Sequence, residues 1–336
     1  LIYILILVFF LFINFLLFNY YKNFAYKFNF LDNPNKLSNH NKKIPTGAGI
    51  IFIFLISTIH IGLFISSEIN LIELNFPNRH YLFLIAIISL GIISFIDDIK
   101  SVHFLYRFIA HIIFVMASTP LFSYDIIYLI PEKLSLMIII FMWVYIINVF
   151  NFLDGSNGYM SINAIFILIS YLITLVNSSG YLLDFNFFII CFTLLILIIY
   201  LFFNFPKASI FCGDSGSIVV GYIIGFIFFD LITNSYWYVA VAALSYPLID
   251  VTLTIIKKVR NGKYPWERLF DYHFLKALNA TNKNHKKIFT ISFIFNSVNL
   301  LIITLSILNE LKWLFLFSII LAFYKIFYFS NLSKVR

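Results

Sequence analysis

Residues 134–150 read LSLMIIIFMWVYIINVF, and residues 151–160 continue as NFLDGSNGYM. The first stretch has no charged side chain and is nearly as long as the roughly 20 apolar residues that cross a bilayer as a helix. The second stretch introduces amide, carboxylate and hydroxyl groups together, and polar groups at membrane depth are costly and usually functional. Apolar runs that end in short polar motifs therefore indicate both the fold and the position of a site.

The rest of the chain repeats this pattern. Its 336 residues are 62% hydrophobic and 11% charged, with a mean hydropathy of +0.96, whereas soluble domains are about 45–50% apolar and about 25% charged. We predict an all-α integral membrane protein, a polytopic bundle of about 11 transmembrane helices that forms a single domain over residues 1–336. The predicted spans lie near residues 1–18, 47–67, 80–96, 104–122, 134–150, 158–177, 186–203, 216–233, 236–256, 288–308 and 311–329.

The distribution of basic residues predicts the orientation. If the N-terminus lies outside, 20 of the 23 Lys and Arg residues fall in the inner segments, and basic residues collect in cytoplasmic loops. We therefore expect an external N-terminus, a cytoplasmic C-terminus and polar motifs at the cytoplasmic face. The net charge of +8 favours anionic lipid and anionic substrates. Without a soluble basic domain, nucleic acid is not an expected partner.

The motif FIDDIKS, residues 95–101, ends the third apolar run with two adjacent acids, Asp97 and Asp98. Adjacent carboxylates repel each other, and helix termination does not require two of them. Such a pair beside Lys100 is suited to Mg²⁺ that is held jointly with substrate phosphates. The alternative is a solvated helix end with Lys100 as its counter-ion.

The motif NVFNFLDGSNG, residues 148–158, ends the fifth run. Asn148 and Asn151 share one face if the helix continues through them, and Asp154 follows where Gly155 breaks it. Together these groups are able to hydrogen-bond a sugar or nucleotide and to ligate a cation. Interhelical hydrogen bonds or a re-entrant turn are the alternatives.

Two glycine-containing motifs precede other apolar runs. In FCGDSGS, residues 211–217, we expect Asp214 or Ser215 to cap the eighth helix, so that its first N–H groups face a phosphate and Asp214 ligates a metal. In KKIPTGAGI, residues 42–50, Lys43 adjoins a tight loop. A simple turn with positive-inside lysines is the alternative for this second motif.

A basic loop, residues 257–287, contains Arg268 and His273 among nine Lys and Arg residues. It is suited to lie along the interface and close over an anionic ligand, although a plain positive-inside anchor explains most of its lysines equally well. Asp250 lies within the ninth apolar run. A carboxylate in that position should face the bundle and be paired or protonated, and a structural role is the favoured interpretation.

The order PTGAG, DDIK, NVFNFLDGSNG, FCGDSGS, PLID and a basic loop with His resembles the polyprenyl-phosphate N-acetylhexosamine-1-phosphate transferases, or glycosyltransferase family 4. The resemblance covers about residues 30–290. It implies transfer of a sugar-1-phosphate from a cytoplasmic UDP-N-acetylhexosamine to undecaprenyl phosphate, with release of UMP and a requirement for Mg²⁺. The span number is similar to that of the branch that initiates O-antigen and surface polysaccharides at the bacterial inner membrane. A homodimer is left open.

The resemblance also implies roles for the motif residues. Asp97 activates the lipid phosphate or attacks as nucleophile, Asp98 organises the metal site, and Asp214 ligates Mg²⁺. Asn151 and Asp154 support the nucleotide-diphosphate site. The predicted residues are Asp97, Asp98 and Asp214 for catalysis, Asp214, Asp98 and Asp154 for the metal, and Lys43, Lys100, Asn148, Asn151, Asp154, Arg268 and His273 for substrate.

Some residues depart from the family pattern. Ala48 stands where glycine is usual, and Asn157 replaces a common second Asp. His273 stands where several members have a histidine cluster, which disfavours the related phospho-MurNAc-pentapeptide transferase as an alternative. A transporter of lipid-linked sugars is a second alternative, and only Asp250 supports it. An inactive scaffold is disfavoured because the motif acids are present together.

Overall fold

The computed structural model describes residues 2–34, 39–72, 74, 76, 79–122, 131–178, 184–264 and 271–334. Within these ranges the chain forms twelve α-helices and one short antiparallel pair of strands. The helices are α1 (Ile2–Lys27), α2 (Gly49–Glu68), α3 (Tyr81–Ile99), α4 (Phe104–Ser118), α5 (Glu132–Leu153), α6 (Tyr159–Asn177), α7 (Phe185–Asn204), α8 (Gly213–Thr233), α9 (Trp237–Arg260), α10 (His273–Ala280), α11 (His285–Leu308) and α12 (Phe315–Leu332). The strands are β1 (Leu31–Asp32) and β2 (Ile44–Pro45).

Eleven of the described helical segments are long and apolar enough to cross a membrane. This confirms the predicted polytopic α-helical fold, and the remaining helix, α10, has only eight residues. Some ends differ from the predicted ones. Helix α9 continues to Arg260, because basic side chains in a last turn interact favourably with the free carbonyl groups of that turn.

Helix α8 lies at the centre of the bundle and packs against α2, α3, α5 and α9. Small residues allow this close packing. Gly225 faces the ring of Trp143 in α5, and Gly221 faces the backbone of Ile147. Trp143 also donates a hydrogen bond from Nε1 to the carbonyl of Tyr222 at 2.9 Å. These contacts pack the middle of α8 closely against α5.

Large apolar side chains cover the outside of the bundle. Phe141, Phe202 and Leu301 are 70%, 72% and 64% exposed, respectively. Such an exposed apolar surface is unfavourable in water and is suited to lipid. The chain is therefore a multi-pass membrane protein.

The first turn of α2 approaches the first turn of α8 so closely that only glycine fits at Gly49. A Cβ atom there would overlap the backbone of Ser215 and Gly216. The Gly49 N–H also donates to the carbonyl of Cys212 at 2.8 Å. The loop before α2 thus supports the chain at the start of α8.

We expect Gly49→Ala to lower the free energy of unfolding by about 1–3 kcal/mol, because overpacking forces the backbone apart. Thermal unfolding of the detergent-solubilised protein measures this change. Gly62→Ala is the matched control in the same helix, since its Cβ would meet no atom within 4 Å. Equal melting temperatures for the two variants would contradict the close approach.

Candidate active site

Four of the predicted motif residues meet at one end of the bundle. Asp97 and Asp98 lie in the last turn of α3, Asn151 lies in the last turn of α5, and Asp214 lies in the first turn of α8. Arg107, near the start of α4, completes what we call the acidic cluster, namely these five residues. Segments that are far apart in the sequence therefore form one polar site.

Arg107 bridges two carboxylates of the acidic cluster. Its Nη1 donates to Oδ2 of Asp97 and, at 2.5 Å, to Oδ2 of Asp214. Oδ1 of Asp97 accepts the backbone N–H of Val102 at 2.6 Å. Charge-assisted bonds from guanidinium to carboxylate are strong and directional. The two acids therefore converge on a single position that a cation occupies.

Asn151 fixes the other oxygen of Asp214. Its Nδ2 donates to Oδ1 of Asp214 at 2.9 Å and to Oγ of Ser217 at 3.0 Å. The side chains of Asn151 and Asp214 thus join the ends of α5 and α8. Asn148 is different, because its Nδ2 donates to the carbonyl of Val144 in its own helix at 2.7 Å.

Asp98 caps α8 from another helix. Its carboxylate accepts the N–H of Asp214 at 2.7 Å, the N–H of Ser215 at 3.1 Å and the Ser215 hydroxyl at 2.7 Å. The expectation that Asp214 or Ser215 caps this helix is therefore wrong: Cys212 occupies the N-cap position and makes no side-chain cap bond. Since a carboxylate already binds these first N–H groups, they are not open to a phosphate.

Asp154 lies outside the acidic cluster and contacts the residue that precedes α8. Its Oδ2 accepts a hydrogen bond from the Cys212 thiol at 3.3 Å. Burial raises the pKa of Asp154 to about 7; the nearby negative charges of Asp214 and Asp98 act in the same direction, and the thiol bond opposes them. Burial, with the charge of Asp154, also raises the pKa of the Cys212 thiol well above its usual value. This pairing uses Asp154 to support the start of α8.

The loop between α5 and α6 is held from three sides. Asn39 donates to the Gly155 carbonyl at 2.8 Å, and the Gly158 N–H donates to Oδ1 of Asn204 at 2.6 Å. Oγ of Ser156 lies 2.9 Å from Nδ1 of His285. Gly158 has a φ of +71°, a left-handed conformation that glycine adopts without strain. These contacts fix the loop beside the acidic cluster.

The two predicted lysines lie apart from these contacts. Lys43 and Lys100 have exposed side chains. Within the described residues, neither makes a hydrogen bond or ion pair with the acidic cluster. Their roles toward substrate stay predictions.

His273 begins α10 and is bound to Asp250. Nδ1 of His273 lies 2.6 Å from Oδ1 of Asp250, and its backbone N–H donates to the same oxygen at 3.2 Å. The Tyr246 hydroxyl donates to Oδ2 at 3.0 Å. The prediction that Asp250 faces the bundle and is paired is therefore confirmed. Arg268 lies outside the described residues.

The acidic cluster fits Mg²⁺ with two carboxylates. Mg²⁺ usually binds one or two carboxylates together with substrate phosphates and water, and Asp97 and Asp214 already converge on the Arg107 cation. Asp98 and Asp154 are engaged by the start of α8 and by a thiol. Among the described residues, no group of three or more His, Cys, Asp and Glu side chains is arranged around a metal position. Asp97 and Asp214 are therefore the carboxylates already directed at one cation, and the metal roles of Asp98 and Asp154 stay predictions.

Arg107 is the cluster member absent from the predicted site residues. A signal for it exists in the sequence, since it is a single cation three residues inside an apolar run. However, the positive-inside pattern explains a cation at this position as well as a site role does. The sequence alone therefore did not indicate its contact with the acids. Ser215 and Ser217 are further contributors that their motif alone does not distinguish.

The fold and the acidic cluster together define a multi-pass membrane protein whose charged site is assembled from the ends of four spans. Residues 80–232 match the model of glycosyl transferase family 4. This range contains every residue of the acidic cluster. The match agrees with the resemblance to polyprenyl-phosphate sugar-1-phosphate transferases that the motifs predict.

Named relatives agree with this resemblance. The chain is 28% identical over 298 residues to phospho-N-acetylmuramoyl-pentapeptide-transferases from two strains of Helicobacter pylori, covering 77% of this chain and 81% of those proteins. It is 31% identical over 105 residues to a probable undecaprenyl-phosphate N-acetylglucosaminyl 1-phosphate transferase from Bacillus subtilis, which covers 29% of each chain. These names differ in the sugar that is transferred, and they agree on transferase chemistry.

Proposed function

We propose that this protein transfers N-acetylhexosamine-1-phosphate from a UDP-sugar to undecaprenyl phosphate. An oxygen of the lipid phosphate forms a bond to the phosphorus that carries the sugar, and the bond from that phosphorus to UMP breaks. The products are a lipid-linked diphosphate sugar and UMP. This product would initiate a surface polysaccharide of the O-antigen type.

One observation carries the proposal: the convergence of Asp97 and Asp214 on Arg107, beside Asn151. Phosphoryl transfer depends mainly on positioning and charge neutralisation. The acids supply negative groups for a metal, and Arg107 supplies a cation for phosphate oxygens. All of them lie at helix ends, where a lipid phosphate and a soluble nucleotide are both able to reach them.

The residues of the cluster divide the work. Asp97 would activate the lipid phosphate oxygen for this direct attack, and Asp97 and Asp214 would together hold the metal. Bound Mg²⁺ would neutralise the negative charge of the donor diphosphate. Asp98 holds the start of α8 in place through three hydrogen bonds. Asn151 orients Asp214 through Oδ1.

The remaining contacts to substrate come from the surroundings of the cluster. His273 and Arg268 of the basic loop contact the donor, and Lys43 and Lys100 attract its phosphates. The positive-inside pattern supports a cytoplasmic position for this site in a bacterial inner membrane. We also propose that residues 1–336 form a single domain.

Release of UMP tests the proposal. Membranes that contain the chain receive undecaprenyl phosphate, Mg²⁺ and one UDP-N-acetylhexosamine at a time. We expect UMP with one donor, loss of at least about 90% of the rate when EDTA removes the metal, and recovery when Mg²⁺ is restored. Folded wild-type protein that releases no UMP with any donor would contradict the proposal.

A second donor class belongs in the same assay. The relatives that align over 77% of the chain are phospho-N-acetylmuramoyl-pentapeptide-transferases, which favours UDP-MurNAc-pentapeptide as the alternative donor. A transporter is less well supported, since Asp250 is engaged by His273 and Tyr246. Release with the pentapeptide donor alone would assign the chain to peptidoglycan synthesis.

A further inference from the structure

A lysine is buried in the last helix. Lys325 of α12 is 1% exposed, and α12 is among the helices able to cross a membrane. A cation at such a depth is costly, so it is retained with partners and usually marks a function. Lys325 lies beyond residues 80–232, which match the family model, so the match does not explain it.

The partners of Lys325 are an amide and two aromatic rings. Its Nζ donates to Oδ1 of Asn296 at 3.1 Å. The same nitrogen lies 3.7 Å from the ring centroid of Tyr246 and 5.8 Å from that of Tyr159. The quadrupole of an aromatic ring attracts a cation, and it does so more strongly when water is excluded. Lys325 therefore ties α12 to Tyr246 in α9.

Tyr246 also contacts the buried carboxylate of Asp250. Its hydroxyl donates to Oδ2 of Asp250 at 3.0 Å, and the side chain of Asp250 is fully buried. The Tyr159 hydroxyl lies 2.5 Å from the Tyr246 hydroxyl and completes the group. A buried cation and a buried anion thus contact the same tyrosine, so removing either changes the surroundings of the other.

Asp250 in turn sets the position of His273. It binds both Nδ1 and the backbone N–H of His273, so it fixes the ring and the first residue of α10 together. The Nδ1 bond makes Nε2 the ring nitrogen that is left for a ligand. Helix α10 also packs against α12. Lys325 and His273 therefore lie at the two ends of one contact chain.

The space beside Lys325 excludes a large ligand. A cavity of about 30 Å³ is lined by Lys325, Tyr246, Asn163 and Asn296 among others. Pockets that take a nucleotide or a sugar measure about 300–1,000 Å³. Lys325 therefore acts on other residues of the protein rather than on substrate.

We propose that Lys325 is a positioning residue for the donor site. Its ammonium holds Tyr246 and, through it, Asp250, and Asp250 orients His273 toward the UDP-sugar. This inference rests on the proposed function, because that function assigns His273 to the donor. It gives α12 a role in substrate binding although α12 contributes no residue to the acidic cluster.

A double-mutant cycle tests the proposal through the KM for the UDP-sugar that supports UMP release. We expect Lys325→Met and His273→Ala each to raise that KM by about threefold to tenfold, while kcat changes less than about twofold. The double variant should match the single variants, because both remove the same interaction. Lys334→Met is the control, since it removes an exposed lysine just beyond the same helix.

Several results would overturn the proposal. The proposal is overturned if the two KM effects multiply in the double variant. It is also overturned if Lys325→Met leaves the KM unchanged, or if Lys334→Met raises the KM as much as Lys325→Met does. If Lys325→Met does not fold, Tyr246→Phe replaces it in the cycle, since Phe retains the ring under Lys325 and loses the hydroxyl bond to Asp250. That variant should raise the KM in the same range, and an unchanged KM would overturn the proposal.

Failure of the proposed function is distinguishable from failure of the coupling. Wild-type protein without UMP release would contradict the function alone. Thermal unfolding of Lys325→Met, Asp250→Asn and their combination would then test the coupling. The combined variant should lose less stability than the sum of the single losses, because both substitutions disrupt the same contacts through Tyr246. Additive losses would overturn the coupling.

Discussion

Asp214→Asn should lower kcat for UMP release by at least about 10³-fold, while KM for the UDP-sugar changes much less. The amide has nearly the shape of the carboxylate, so the bond from Asn151 can persist. The variant loses the negative charge that faces Arg107 in the structure and that would face Mg²⁺ in the proposed reaction. Steady-state UMP release from purified protein measures the change.

Asp230→Asn is the matched control for this variant. Asp230 lies in the last turn of the same helix, α8, and accepts a hydrogen bond from the Tyr171 hydroxyl at 2.7 Å. We expect it to retain kcat within about threefold, because it changes one charge far from the acidic cluster. Equal losses in Asp214→Asn and Asp230→Asn would show that the fold, rather than the site, depends on these carboxylates.

Arg107→Met has the second-largest expected effect. Removal of the guanidinium leaves Asp97 and Asp214 without their shared cation, so the free energy of unfolding should fall by about 1–3 kcal/mol. Transfer activity should fall by about 10²-fold, because a phosphate-binding cation is lost. Added Mg²⁺ should raise the melting temperature of Arg107→Met more than that of the wild type, since the Arg107 guanidinium no longer competes with the metal for Asp97 and Asp214.

Arg79→Met controls for the loss of an arginine. Arg79 is exposed, with a φ of +66° in the segment before α3, and both side chains adopt that conformation with similar difficulty. This variant should match the wild type in melting temperature and in its response to Mg²⁺. If Mg²⁺ stabilises Arg107→Met no more than wild type, Asp97 and Asp214 are not the metal position.

The fold class was predictable from the sequence because each membrane span is a long run of apolar residues. A run such as residues 134–150 must form a helix in lipid, since every backbone polar group has to be satisfied within the segment. Asn151 and Asp214 were predictable for a similar reason: polar groups in an apolar chain are costly unless they have a function. These arguments use only the residue and its immediate neighbours.

The contacts between the motifs required the structure. Asp98 and Asp214 belong to different motifs, and no local rule states that the carboxylate of one caps the helix of the other. Local capping rules favoured Asp214 or Ser215, because side chains at a helix start usually serve that helix. Arg107 shows the same limitation, since its charge also satisfied the rule for cytoplasmic loops.

The cap that Asp98 provides also affects how the protein is made. Asp98 leaves the ribosome more than one hundred residues before its partners, the N–H groups of Asp214 and Ser215. Until the eighth span inserts, the carboxylate that ends α3 has none of these donors, and the acids of the cluster remain separate. Chains that terminate before α8 therefore insert seven spans without a site. The acidic cluster therefore assembles late in biogenesis, because α8, the central helix, is the last of its four contributing helices to be synthesised.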